Sequence, residues 1–200
     1  FTVSVGISAD EKYYFINSSD HNTSEKYYFK SNESLPKPKI VRKREKGIIY
    51  SVSSWGGYFY IHTNKGAEDF KIERSRDIEA SKREVFIPAK NETMIGGLTF
   101  LKNWIIRSEL NNALDKIFVR DINSNKEEEL IFTDEEVYDG SISHTQKDRN
   151  TDLIYISYST PKTQARTYLY NLKTKEKKLV KEQVIPTGHD PKNYIVQRIE

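Results

Sequence analysis

The chain has 200 residues, 36% hydrophobic and 30% charged, with six prolines, a globular, soluble profile with enough length for a substantial core. Its 32 basic and 29 acidic residues interleave to a net charge of +3, so no single-sign field argues for nucleic acid or a membrane surface as partner. The absence of cysteine excludes a disulfide framework and thiolate metal or redox chemistry, and fits a reducing compartment.

No apolar run approaches the roughly 20 residues of a membrane span, and no signal peptide is visible. Phe1 already lies inside an alternating pattern, so the chain is expected to be part of a longer protein. Period-two alternation dominates, and nothing sustains helical spacing for ten residues. The first unit contains "TVSVGIS", "KYYFINSS", "EKYYFKS" and "PKIVRK". The second contains "YSVSSWG", "YFYIHTN", "DFKIERS" and "REVFIPA". "GGLTFLK", "NWIIRSEL", "DKIFVRDI" and "EELIFTDE" make the third, and "GSISHTQ", "LIYISYST", "RTYLYNLK" and "KKLVKEQ" the fourth.

The second strands begin at Lys12, Tyr58, Asn103 and Leu153, spaced by 46, 45 and 50 residues, the period of a propeller blade. The expected fold is all-β: a β-propeller portion of four four-stranded antiparallel blades, about 1–43, 44–89, 90–135 and 136–183. In such a blade the inner strand is crowded and favours small residues, while the outer strand is an edge protected by charge. Alternating Tyr, Phe, Ile and Trp side chains are expected between adjacent blades. Beyond Gln183, a turn cluster (Pro186, Thr187, Gly188, Asp190, Pro191) precedes "YIVQRI", which alternates like a further strand.

With the repeats aligned, several stretches resemble the propeller of prolyl-oligopeptidase-family serine peptidases. They are "YIHTNKGAEDFKI" (Tyr60–Ile72), "VFIPAKNETMIGGLTFLKNWII" (Val85–Ile106), "IFVRDI" (Ile117–Ile122) and the run from Leu153 to Ile199. Thr63-Asn64, Gly66-Ala67, Phe70-Lys71 and the Gly188-His189-Asp190-Pro191 turn before Tyr194 are most similar to the oligopeptidase B (protease II) branch. The resemblance implies that these are the last four blades of a seven-bladed propeller capping an α/β-hydrolase domain. It makes 184–200 the crossover towards that domain. It also implies a cytoplasmic parent enzyme that cleaves short peptides after Lys or Arg, the propeller gating access.

Catalytic residues are not expected in the chain itself. A hydrolase nucleophile needs a Gly-x-Ser-x-Gly elbow between strand and helix, and no such pentapeptide occurs. "SSWGG" (Ser53–Gly57) has glycines but lies in a predicted hairpin. His62 and His144 fall in predicted strands, and His21 and His189 in turns; adjacent His189 and Asp190 are not placed to act as base and orienter. No His or carboxylate set has metal-ligand spacing, so neither cofactor nor metal is expected. The basic run "KPKIVRKREK" (Lys37–Lys46) reads as a solvated strand edge, or in a minority reading as a patch for an anionic ligand. "NKEEELIFTDEE" (Asn125–Glu136) reads as its acidic counterpart. Trp55 and Trp104 are expected in packing roles.

Two functions follow from different classes. In the first the chain is the non-catalytic propeller portion of a serine oligopeptidase, meeting peptide substrates only through the absent catalytic domain. In the second it is an independent four-bladed binding module, since propellers host many functions. An open arc would leave flanks carrying Tyr13, Tyr14, Phe15, Tyr155, Ile156, Tyr168 and Tyr170 without neighbours, so either self-association through them or partial closure of blade one onto blade four is expected.

Overall fold

The computed structural model describes residues 1–144 and 149–197. Sixteen strands form four separate four-stranded antiparallel sheets, each a meander in chain order. The first sheet comprises β1 (Thr2–Ile7), β2 (Tyr13–Ser19), β3 (Ser24–Lys30) and β4 (Lys39–Arg42). The second comprises β5 (Tyr50–Trp55), β6 (Tyr58–Thr63), β7 (Lys71–Ser75) and β8 (Glu84–Ile87). The third is β9 (Thr93–Leu101), β10 (Trp104–Asn111), β11 (Leu114–Asp121) and β12 (Glu127–Glu129). The fourth is β13 (Asp139–His144), β14 (Leu153–Ser159), β15 (Arg166–Asn171) and β16 (Lys177–Glu182). The expected all-β class and four-by-four strand plan are present.

The chain divides into two compact units, Phe1–Gly96 and Gly97–Glu200. In the first, Phe15 and Tyr28 pack with Tyr50, Phe59, Ile61 and Ile78, with Tyr13 and Val52 against them. In the second, Trp104, Ile106, Ile117 and Val119 meet Ile154, Ile156, Tyr158 and Leu172. Alternation explains both cores, because residues two apart share a face of the sheet.

Local chemistry repeats with the sheets. In the second unit the turn after β11 begins with Asp121, whose Oδ1 accepts from the Asn123 and Ser124 amides at 2.8 and 3.3 Å. Fifty residues on, Asn171 accepts from the Lys173 and Thr174 amides at 2.9 and 3.1 Å. Each turn ends on a residue with positive φ, Asn125 (57°) and Lys175 (65°). Short polar side chains that hydrogen-bond two residues ahead set this geometry. Three of the sheets also carry a register shift between third and fourth strands, at Lys26/Tyr27, Ile72/Glu73 and Thr167/Tyr168.

The strand expectations differ from the structure in three places. "EELIFTDE" is a strand only over its start, since β12 stops at Glu129; Leu130 and Phe132 instead drop their side chains into the core, 8% and 2% exposed. Tyr194–Gln197 form no strand, because alternation without a hydrogen-bonding partner does not make one; the remainder of that stretch, Arg198–Glu200, lies outside the described residues, as do Thr145 and Gln146 of "GSISHTQ". The flank assignment is also corrected. Phe15 and Ile156 are buried and Tyr13, Tyr168 and Tyr170 pack against the two cores. Only Tyr14, stacked on Phe29 at 5.3 Å, and Tyr155 lie on the opposite faces, because consecutive residues of a strand cannot share one face.

Candidate functional site

Ser53–Gly57 closes the β5–β6 hairpin, with Trp55 opposite Tyr58 and the two glycines between them. Gly56 (φ 59°) and Gly57 (φ 79°) both adopt left-handed backbone, as a two-residue hairpin of this twist requires. Ser54 Oγ donates to Asp10 Oδ2 at 2.9 Å. Asp10 Oδ1 in turn accepts from Ser8 Oγ at 2.7 Å, so these serines and the carboxylate join the loop after β1 to β5. The local geometry is a hairpin, not a strand-to-helix elbow.

Two of the histidines address the main chain. His62, on β6, donates Nε2–H to the Ile95 carbonyl at 2.6 Å and stacks on Phe70, ring centres 4.5 Å apart. Burial pushes its pKa down against the opposing pull of that carbonyl, which favours the neutral ring. His189 donates Nε2–H to the Lys162 carbonyl at 2.6 Å and stacks on Tyr194 at 5.1 Å. Asp190 faces elsewhere: its Oδ1 accepts from the Lys192 amide at 3.0 Å as the cap of a short 3₁₀ turn, Pro191–Asn193. Adjacent in sequence, the two have separate partners. His21 is exposed and His144 half-buried at the end of β13. Among the described residues, no group of three or more His, Cys, Asp or Glu could hold a metal ion.

The two charge runs are less solvated than their composition suggests. In the basic run, Lys37, Lys39, Lys43 and Lys46 are exposed, but Arg42 and Arg44 turn back onto the protein. Arg44 donates to the Ser18 carbonyl at 2.8 Å and lies 4.8 Å over the Phe1 ring. In the acidic run, Glu127 accepts from Arg107 at 2.9 Å and Arg120 at 3.0 Å, Glu129 pairs with Lys116 at 3.5 Å, and Glu135 with Lys162 at 3.0 Å. Trp104 is buried and donates its indole N–H to Asp152 at 2.7 Å; Trp55 is half-buried.

Three buried charged residues escaped the sequence reading. Arg107 and Glu109 on β10 are each 3% exposed and paired at 2.8 Å, with the Arg107 guanidinium 4.5 Å over Phe118. Burial pushes the Glu127 carboxyl up, but Arg107 and Arg120 outweigh it and hold it below its ordinary value. Lys26 on β3 is 9% exposed, and its ammonium donates to the Asn17 side-chain oxygen. Burial lowers its pKa to about 8. Arg-Ser-Glu within an alternating strand reads as a wet face; only the packing shows both faces of β10 covered.

The second unit also holds a cleft of about 430 Å³ where Thr99, Ser108, Asp115, Asp139 and Ser141 surround Ile106 and Ile117. Its wall is narrow at Gly140, where an added Cβ would meet the Phe132 ring at 3.0 Å. Hydroxyls and carboxylates there can accept hydrogen bonds from a donor-rich ligand.

Comparison with known proteins places these sheets. The chain is 30% identical over 94% of its length to protease 2 of Moraxella lacunata, and 26% identical over 80% to dipeptidyl aminopeptidase BI of Pseudoxanthomonas mexicana. It spans 26% and 22% of those two proteins. Among solved structures it superposes on oligopeptidase B from Trypanosoma brucei, bound covalently to antipain in a closed form, with TM-score 0.87 and 25% identity. That match covers 98% of this chain and 29% of the other. The model of the prolyl oligopeptidase N-terminal β-propeller domain matches residues 1–183, which take in all sixteen strands, and the chain belongs to that family.

Proposed function

We propose that the chain is the non-catalytic, substrate-gating propeller portion of a serine-type oligopeptidase that cleaves short peptides after Lys or Arg. The observation that carries this reading is the likeness to T. brucei oligopeptidase B along 98% of the chain. The similarity to protease 2 supports the same branch. An exposed row on β1, Val3, Val5 and Ile7 at 69%, 64% and 49%, supports a preceding blade as the neighbour of the first sheet, since apolar rows of this kind mark contact surfaces. The chain contributes shape: it admits an extended peptide and excludes a folded protein. Acyl transfer by a serine, a histidine and a carboxylate with an oxyanion hole belongs to the remainder of the protein.

The test is a matched pair of substrates presented to the intact protein. One is a short peptide with Arg at the scissile bond; the other carries the same sequence in an exposed loop of a stably folded protein. Cleavage of the peptide alone is expected. Comparable rates on both overturn the gating role, and faster cleavage of a Pro analogue overturns the basic specificity.

A further inference from the structure

The cleft of about 430 Å³ in the second unit is a product of strand alternation. Ile106 and Ser108 lie two apart on β10, as do Asp115 and Ile117 on β11, and residues so spaced share a face. Ser108 stands opposite Ile117 in the ladder. Each strand therefore gives the cleft one buried isoleucine and one half-buried polar side chain. Thr99 adds a hydroxyl from β9, and Asp139 and Ser141 close the cleft from β13.

The two carboxylates are held in place relative to each other. Tyr138, next to Asp139, donates its hydroxyl to the Asp115 carbonyl at 2.9 Å. On the other side of Asp139, Gly140 lies against the Phe132 and Tyr138 rings, which an added Cβ would meet at 3.0 and 3.1 Å. The start of β13 is thus pinned to the third sheet. Among the described residues, no hydrogen bond or ion pair engages the side chains of Asp115 and Asp139, and the hydroxyls of Thr99, Ser108 and Ser141 have no protein partner. Two like charges and unused hydroxyls around an aliphatic floor attract a cation that carries an apolar stem.

We propose that this cleft binds a lysine side chain of a peptide, with the ε-ammonium between Asp115 and Asp139 and the methylenes along Ile106 and Ile117. An ammonium directs three donors outward from one point. That suits acceptors supplied by several strands better than the flat fork of a guanidinium does. The peptide as source of the ammonium rests on the function proposed above; the chemistry of the cleft does not. Such a site lets the propeller portion retain lysine-bearing peptides as it admits them.

The test uses the intact protein and an Nα-acetyl-lysine amide that carries a photoreactive diazirine on its amide substituent. After irradiation, the labelled peptides are mapped by mass spectrometry. Saturable labelling of cleft residues between Gly97 and Ile142 is expected, and the matching norleucine probe should not label them. Asp115→Asn and Asp139→Asn, which keep side-chain shape and guard against misfolding, should each reduce cleft labelling about tenfold, the scale of one charge-assisted hydrogen bond. Asp134→Asn, outside the cleft, should leave it within about twofold. Labels found only outside residues 1–200 overturn the site and leave the peptidase reading standing. Equal labelling by the norleucine probe, or unchanged labelling in both cleft variants, also overturns it. Cleft labelling in a protein that does not cleave the Arg peptide upholds the site and overturns the peptidase reading instead.

Discussion

The two units solve one packing problem with different chemistry. Between its sheets the second unit is mostly aliphatic, with Ile106, Val119, Ile154, Ile156 and Leu172 each no more than 2% exposed. The first relies on rings that carry hydroxyls. Tyr50 accepts from the Lys26 amide at 2.9 Å and donates to the Arg42 carbonyl at 2.8 Å, and Tyr28 reaches Glu79. Buried polar groups of this sort must be satisfied one by one. The lesson is that a repeated strand plan fixes where side chains meet, and leaves open what they are made of.

Truncating the aliphatic core should have the largest effect. Ile156→Ala should cost about 3–4 kcal/mol in chemical unfolding, since a residue 1% exposed leaves a cavity that its neighbours fill only partly. A loss below about 1 kcal/mol would mean that the second unit does not depend on this seam.

Removing one member of the buried ion cluster comes next. Arg107→Met strips Glu109 and Glu127 of their shared cation and should destabilise by about 3 kcal/mol. The double variant Arg107→Met/Glu109→Leu should recover most of that loss. Failure to recover would show that the guanidinium matters through its stacking on Phe118 more than through charge.

Lys26 provides the pH-dependent contrast. Its folded pKa is lowered from 10.5 to about 8 by burial, so between those values the unfolded chain binds more protons than the folded one. The penalty for burying the charge is complete below about pH 8 and is relieved as pH rises towards 10.5. Stability should therefore rise across that window relative to Lys26→Met, in which this slope is absent. Parallel stability profiles for the two proteins would place the Lys26 amine in water.

The smallest effect is a turn. In the β10–β11 hairpin, Asn112 and Ala113 have φ of 54° and 57°, a geometry that suits Asn but strains Ala. Ala113→Gly should stabilise the second unit by about 0.5–1 kcal/mol, read as slower hydrogen exchange in β10 and β11.

Much of this was legible in the sequence, for identifiable reasons. Alternation and turn residues marked the strands because many of them bury one face against a core. The Gly56-Gly57 hairpin was visible because paired glycines favour a left-handed two-residue return. What escaped depends on partners distant in sequence. Leu130 and Phe132 alternate as they would in a strand, yet they lie beyond the end of β12 and fill a core. Tyr194–Gln197 alternate beside no partner. Arg107 and Glu109 imitate a solvated face.

The central claim is that the chain shapes access to a serine chemistry located elsewhere in the protein. A serine-directed fluorophosphonate probe applied to the intact protein, followed by mapping of the labelled peptide by mass spectrometry, tests it directly. The account predicts a single labelled serine outside residues 1–200, with labelling blocked by a short Arg-containing peptide. A label on a serine within them, such as Ser53 or Ser54, or no labelling in a protein that cleaves the peptide, would contradict it.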